Sequence, residues 1–275
     1  MKQRTITAAF GIPLILAFVW FDTPWFPLLI LLVAAIVVLG ILEFYRLARF
    51  SGARPLIIFG IVWSLFYLAN FQLEADFDWD YVAPSLLGTA IILPLIWLRF
   101  FSRHRDGIVV SWAWTVAGIL YMGWMVGHYV ALRDLDQGRE WVILALFSTF
   151  ACDTGAFLVG RRWGRRLLAP SISPGKTWEG AAGGFVAAPA AALIISSLLD
   201  LAGLSLPISY PLILLLGCLI GFFAQLGDLF ESLLKRRAGV KDSGSLLPGH
   251  GGVLDRIDSL VLTGVVVYYY VLLVA

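Results

Sequence analysis

Residues 210–232 read YPLILLLGCLIGFFAQLGDLFES. A run this apolar has no place on the surface of a water-soluble domain, and roughly 20 such residues in a helix match the hydrocarbon thickness of a bilayer. Gln225 and Asp228 interrupt it. Polar and ionisable groups at membrane depth are costly unless paired, coordinated or facing water. The stretch therefore predicts a transmembrane helix with a functional position inside it.

Similar runs extend in both directions, at 6–21, 25–42, 56–71, 82–98, 109–131, 141–160, 180–203 and 255–274, which predicts nine spans. In hydrocarbon the backbone has to satisfy its own hydrogen bonds, so runs of this length are helices. Nothing alternates at period two as an outer-membrane barrel strand would. The composition agrees: 60% of the 275 residues are hydrophobic and 14% charged, against about 45–50% and about 25% in a soluble domain. Disorder is excluded, since it needs low hydrophobicity and high charge. Cys152 and Cys218 lie inside apolar runs without metal-ligand spacing and read as packing residues. The N-terminal run reads as the first span rather than a cleaved signal peptide.

The charges orient the spans. With the N-terminus in the cytoplasm, 18 of the 20 Lys and Arg fall on inside segments, leaving Arg133 and Arg139 outside, while the outer loop at 74–80 collects acids. Lys/Arg bias sets orientation, so the expected class is an all-α polytopic membrane protein with the N-terminus cytoplasmic and the C-terminus outside. No feature points to nucleic acid. A single membrane domain is expected, with residues 1–140 as scaffold, lipid-facing or dimer region and residues 141–275 as the catalytic region.

The N-terminal half offers little for chemistry. Glu43 and Arg46 read as an interfacial pair, His104 as solvated, His128 as packed or interfacial, and the acids at 74–80 as a solvated loop. From residue 148 the character changes. Asp153 lies in one span, and Gly221, Gln225, Asp228, Ser232 and Lys235 step by four and three along one face of another. Asp255 and Asp258 share a face at the start of the last span. Between them runs a basic, glycine-rich loop that includes Lys241, Asp242, Ser243, Gly249, His250, Gly251 and Gly252.

Carboxylates gathered at one depth repel unless a divalent cation sits among them, and Mg²⁺ takes a few carboxylates together with substrate phosphate oxygens. The nearby cations suit a polyanion such as a nucleoside triphosphate, and the glycines let backbone N–H groups approach it. There is no GxxxxGK[ST] loop. The pattern points to metal-assisted phosphoryl or nucleotidyl transfer. A second basic loop, GRRWGRR at 160–166, leads to SISPGKTWEG at 171–180, which contributes Ser173, Lys176, Thr177 and Glu179. Gly180 and Gly184 there allow close helix packing.

The run 232–258, SLLKRRAGVKDSGSLLPGHGGVLDRID, resembles the C-terminal signature of the phosphatidate cytidylyltransferases, or CDP-diacylglycerol synthases. Its elements appear in order as Ser232, Lys235-Arg236, Lys241-Asp242-Ser243-Gly244, Gly249-His250-Gly251-Gly252 and Asp255-Arg256-Ile257-Asp258. Asp153 and the segment Ser173 to Gly180 also resemble family elements. The resemblance implies conversion of CTP and phosphatidic acid into CDP-diacylglycerol and pyrophosphate at the cytoplasmic face of a bacterial inner membrane. It also implies a nine-helix homodimer and a cation pair, Mg²⁺ with a second ion such as K⁺. Metal-binding aspartates map onto Asp228 and Asp255 with Asp258 close by, and cationic elements onto Lys235, Arg236 and Lys241.

In this scheme Asp153 either joins the metal site or orients Lys176, and His250 either donates to a phosphate oxygen or holds its turn. The acyl chains enter sideways from the membrane lipids. Two rivals are a membrane nucleotidyltransferase or lipid kinase acting on a polyprenyl or ether-lipid acceptor, and a cation-coupled transporter. Transporter sites lie near the midplane, whereas these carboxylates crowd toward the basic side.

Overall fold

The computed structural model describes residues 13–21, 28–74, 81–101, 106–244 and 251–275. After a helical stretch at 13–20 come α1 (Leu28–Phe50), α2 (Ile57–Glu74) and α3 (Val82–Phe101). They are followed by α4 (Ile108–Asp134), α5 (Gly138–Trp163), β1 (Leu167–Ala169), β2 (Ser173–Thr177), α6 (Trp178–Leu201), α7 (Tyr210–Arg237) and α8 (Leu254–Val274). Among the described residues seven helices are long and apolar enough to cross a bilayer, and Ile57–Leu73 is a shorter apolar helix. The protein is an all-α polytopic membrane protein. Residues 6–12 of the expected first span, the acids at 75–80 and His104 lie outside the described residues.

The chain forms two compact units, Met1–Ala131 with Leu234–Arg256, and Leu132–Leu233 with Ile257–Ala275. In the first, Phe44, Tyr45, Tyr67, Leu68, Ile119 and Met122 are fully buried. The Tyr45 hydroxyl donates to the Thr115 carbonyl at 2.7 Å, and α4 hydroxyls receive the N–H groups that precede α2, Arg54 on Ser111 at 2.9 Å and Leu56 on Thr115 at 3.0 Å. Those donors lack intrahelical partners. A π-helical segment, Ile119–Met125, widens α4. His128 is fully buried and packs on Phe71 and Trp124, the packed alternative of the sequence reading. Outward, α3 exposes Ile92, Ile96, Trp97 and Phe100, the surface expected of a lipid-facing helix.

In the second unit α5 and α6 pair closely. A Cβ built at Gly184 would stand 2.8 Å from the Cys152 carbonyl oxygen, so small residues set the approach. Cys152 is buried and both cysteines are free thiols. The basic connection between these helices is more ordered than the loop that the sequence suggests. Leu167 pairs with Thr177 and Ala169 with Ser173 in a short antiparallel hairpin. Thr177 caps α6 by accepting from Gly180 N–H at 3.1 Å, and Glu179 accepts from the N–H groups of Arg165 and Arg166 at 3.0 and 3.2 Å.

Candidate active site

In the first unit Lys235, Ser243 and Gly252 gather on one carboxylate. Asp255 opens α8, where unpaired N–H groups and the positive end of the helix dipole favour a negative charge. Its Oδ1 pairs with Lys235 Nζ at 2.6 Å, and both side chains are largely buried, 6% and 13% exposed. Its Oδ2 accepts from Ser243 N–H at 3.0 Å, Ser243 Oγ at 2.9 Å and Gly252 N–H at 2.8 Å. Gly251 takes φ +81°, in the left-handed region that glycine occupies without strain. One carboxylate thus ties Ser243 to Gly252 and holds a lysine. Lys241 and Asp242 are exposed, and Arg236 Nη1 reaches the Val240 carbonyl at 3.4 Å. Arg256 is exposed as well. Gly249 and His250 lie outside the described residues.

Glu43 belongs to this unit and corrects the expectation of an interfacial pair with Arg46. It is 8% exposed, and its carboxylate accepts from Val253 N–H at 3.1 Å and Leu254 N–H at 2.8 Å, while the Ser243 hydroxyl, whose one proton it shares with Asp255, lies at 3.1 Å. Arg46 is exposed. The signal was available in the sequence, since Glu43 lies within Ile41-Leu42-Glu43-Phe44-Tyr45, an ionisable group in an apolar run like Asp228.

In the second unit carboxylates collect. Asp258 is within electrostatic reach of Asp228, Glu231 and Asp153. Lys176, delivered by β2, pairs with Asp228 at 2.7 Å. Ser232 Oγ reaches Asp228 at 3.5 Å. Ser259, which the sequence reading passed over, ties the group together: its hydroxyl donates to Asp153 at 3.0 Å and its N–H to Asp258 at 2.8 Å. Glu231, fully buried, is a further acid that helical spacing alone did not single out. Gln225 donates to the carbonyls of Gly221 and Ala181 at 2.9 and 3.1 Å, so it serves packing. Ser173 is half-buried in β2, while Thr177 and Glu179 are engaged in the cap and turn described above.

Beside Asp228, Gly227 faces the Asp258 backbone, and a Cβ there would collide with the Asp258 carbonyl oxygen. Overpacking of this kind costs about 1–3 kcal/mol. Gly227→Ala is accordingly expected to lower the thermal unfolding midpoint in detergent and to reduce activity by displacing Asp258. An unchanged midpoint would contradict the close approach.

Among the described residues no three His, Cys, Asp or Glu side chains converge around one point as a ready-made metal cage. The donor set still fits a hard divalent cation. Asp153, Asp228 and Asp258 supply only oxygen, and the Lys176 ammonium offsets one of their charges, so a further cation would balance the rest.

A model of the cytidylyltransferase family matches residues 2–274. The chain is 32% identical over 270 residues to the phosphatidate cytidylyltransferase of Bacillus subtilis, covering 98% of this chain and 97% of that protein. To the enzyme of the same name in Pseudomonas aeruginosa it is 33% identical over 271 residues, 94% and 93% of the two chains. To that of a Synechocystis species it is 32% identical over 300 residues, 98% and 96% of the two.

Proposed function

The chain belongs to the cytidylyltransferase family, and from that premise we propose that it transfers CMP from CTP to phosphatidic acid, giving CDP-diacylglycerol and pyrophosphate. It is a membrane-embedded nucleotidyltransferase. The observation that carries the finer reading is the loop gathered on Asp255. Ser243 and Gly252 of the signature run both donate to the carboxylate that also holds Lys235, and Lys241 is exposed.

The reaction needs no side-chain base. A phosphate monoester of a side chain has its second pKa at about 6, and the acceptor phosphate is likewise already ionised near neutrality. Its oxygen attacks the α-phosphorus of CTP, a new P–O bond forms, and the bond to the bridging oxygen of the β-phosphate breaks, so that pyrophosphate leaves with the electron pair. Lys241, Arg236 and Arg237 attract the triphosphate. Lys235, fixed by Asp255, keeps a cation at one place, so its field needs no reorganisation as charge moves. Lys176 offers the same from the hairpin.

In this proposal Asp228, Asp258 and Asp153 would hold Mg²⁺, which would neutralise phosphate charge and lower the barrier to pyrophosphate departure, while Asp255, which the family resemblance maps to the metal, is instead engaged by Lys235, Ser243 and Gly252. The acyl chains stay in the bilayer. The remaining parts of the reading are nine spans, a cytoplasmic N-terminus and active-site face, an inner-membrane location and a homodimer. The distribution of Lys and Arg supports the orientation.

The test is transfer by purified protein in detergent, with phosphatidic acid and CTP, before and after chelation. Turnover should stop on chelation and return when Mg²⁺ is restored. Full turnover in excess chelator would rule out the metal role.

A further inference from the structure

We infer that Glu43 is a positioning residue of the transfer site, setting from α1 the placement of Ser243 and of the start of α8 beside Asp255. The inference rests on the transfer reaction proposed above. Val253 and Leu254 N–H open α8, and such donors are normally capped by a side chain close in sequence. Here the cap is Glu43, some two hundred positions away, with Oε1 on Val253 at 3.1 Å and Oε2 on Leu254 at 2.8 Å. The same Oε2 reaches Ser243 Oγ at 3.1 Å, and that hydroxyl lies 2.9 Å from Asp255 Oδ2.

Ser243 and the residues that open α8 are therefore held by two carboxylates that share the single proton of the Ser243 hydroxyl. Glu43 holds Ser243 and the start of α8, while Asp255 holds Ser243, Gly252 and Lys235. Gly244 and Gly252 mark how close the clamp is, since a Cβ built on either would collide with the Glu43 carboxylate.

A purely stabilising cap would carry no consequence for substrate. Two features link this one to the chemistry. The residues it fixes include Ser243 and, through Ser243, the Asp255–Lys235 pair. In addition, a pocket of about 130 Å³ opens beside the clamp, walled by Arg46, Leu47 and Phe50 of α1 and by Val240, Asp242, Ser243 and Gly244 of the loop. Glu43, one turn from Arg46, sets the distance between those two walls. Loss of the clamp should misplace the charged groups of the loop rather than remove them, and supporting contacts of this kind typically cost about 10- to 100-fold in activity when deleted.

The test uses the full-length protein in detergent with Glu43→Gln and Glu43→Asp. Glu43→Gln should lower kcat per folded molecule by about 10- to 100-fold, with KM for CTP within about threefold of wild type, the signature of an interaction made in the transition state. Glu43→Asp, which keeps the charge, should recover part of the loss. Hydrogen exchange at the Val253 and Leu254 amides should quicken in Glu43→Gln. Unchanged kcat in folded Glu43→Gln, or a loss that tracks only the folded fraction, would overturn the positioning role. Unchanged exchange would overturn the clamp itself. Wild-type protein inert towards phosphatidate would instead bring down the proposed reaction, while the exchange measurement, which needs no substrate, would still decide whether Glu43 holds the loop.

Discussion

Asp228→Asn is expected to lower turnover by more than about 100-fold, beyond the range usual for supporting contacts, while leaving the protein as stable as wild type to within about 1 kcal/mol. The two halves of this expectation have different origins. In the proposed site the substitution removes one carboxylate charge from a group in which Asp258 already feels Asp153, Glu231 and Asp228, so metal affinity is expected to fall. It also breaks the ion pair with Lys176, but those side chains are 33% and 24% exposed, and partly exposed pairs contribute little. Relief of repulsion among the acids acts in the opposite direction. Transfer rates and thermal unfolding midpoints, measured on one preparation, check both halves. Wild-type turnover would remove Asp228 from the metal site, and a collapse in stability would assign it a structural role instead.

Asp255→Asn should abolish turnover to a similar degree with a different thermal signature. Its carboxylate takes four contacts, three on Oδ2 and the Lys235 ammonium on Oδ1. An amide can keep its oxygen toward the N–H groups of Ser243 and Gly252 only by turning its own NH₂ toward Lys235. Lys235 is 13% exposed, and leaving one partner of a buried pair unmatched costs about 3–5 kcal/mol. The unfolding midpoint should therefore fall clearly, unlike that of Asp228→Asn. Equal midpoints in the two variants would contradict the loop geometry described for Asp255.

The helices were legible because the bilayer imposes a length and an apolar composition that local sequence displays directly. Their ends were less so. The run expected at 25–42 continues as a helix to Phe50, where Glu43, Phe44, Tyr45, Leu47 and Ala48 are buried and Arg46 is exposed, a packed segment whose charged residues end the hydropathy signal early. Asp228, Asp258 and Lys176 were legible as polar groups where polarity is costly, and the structure brings Lys176 and Asp228 together. Two features were hidden. The hairpin at 167–177 depends on pairing across a turn in a segment that reads as a basic loop. Glu43 depends on donors some two hundred residues away, and no local period encodes a contact of that range. Ser259 was hidden by its ordinariness, because a serine in a membrane helix usually bonds its own backbone.

The most direct test of the proposed reaction compares CTP labelled at the α-phosphorus with CTP labelled at the γ-phosphorus, each incubated with purified protein, Mg²⁺ and phosphatidic acid. Attack at the α-phosphorus predicts that α-label enters the organic phase only when phosphatidate is present, while γ-label leaves as pyrophosphate in equal amount. Gamma label in the lipid would mean phosphoryl transfer by a kinase, and no lipid-borne label from either nucleotide with folded, metal-supplied protein would contradict phosphatidate as the acceptor.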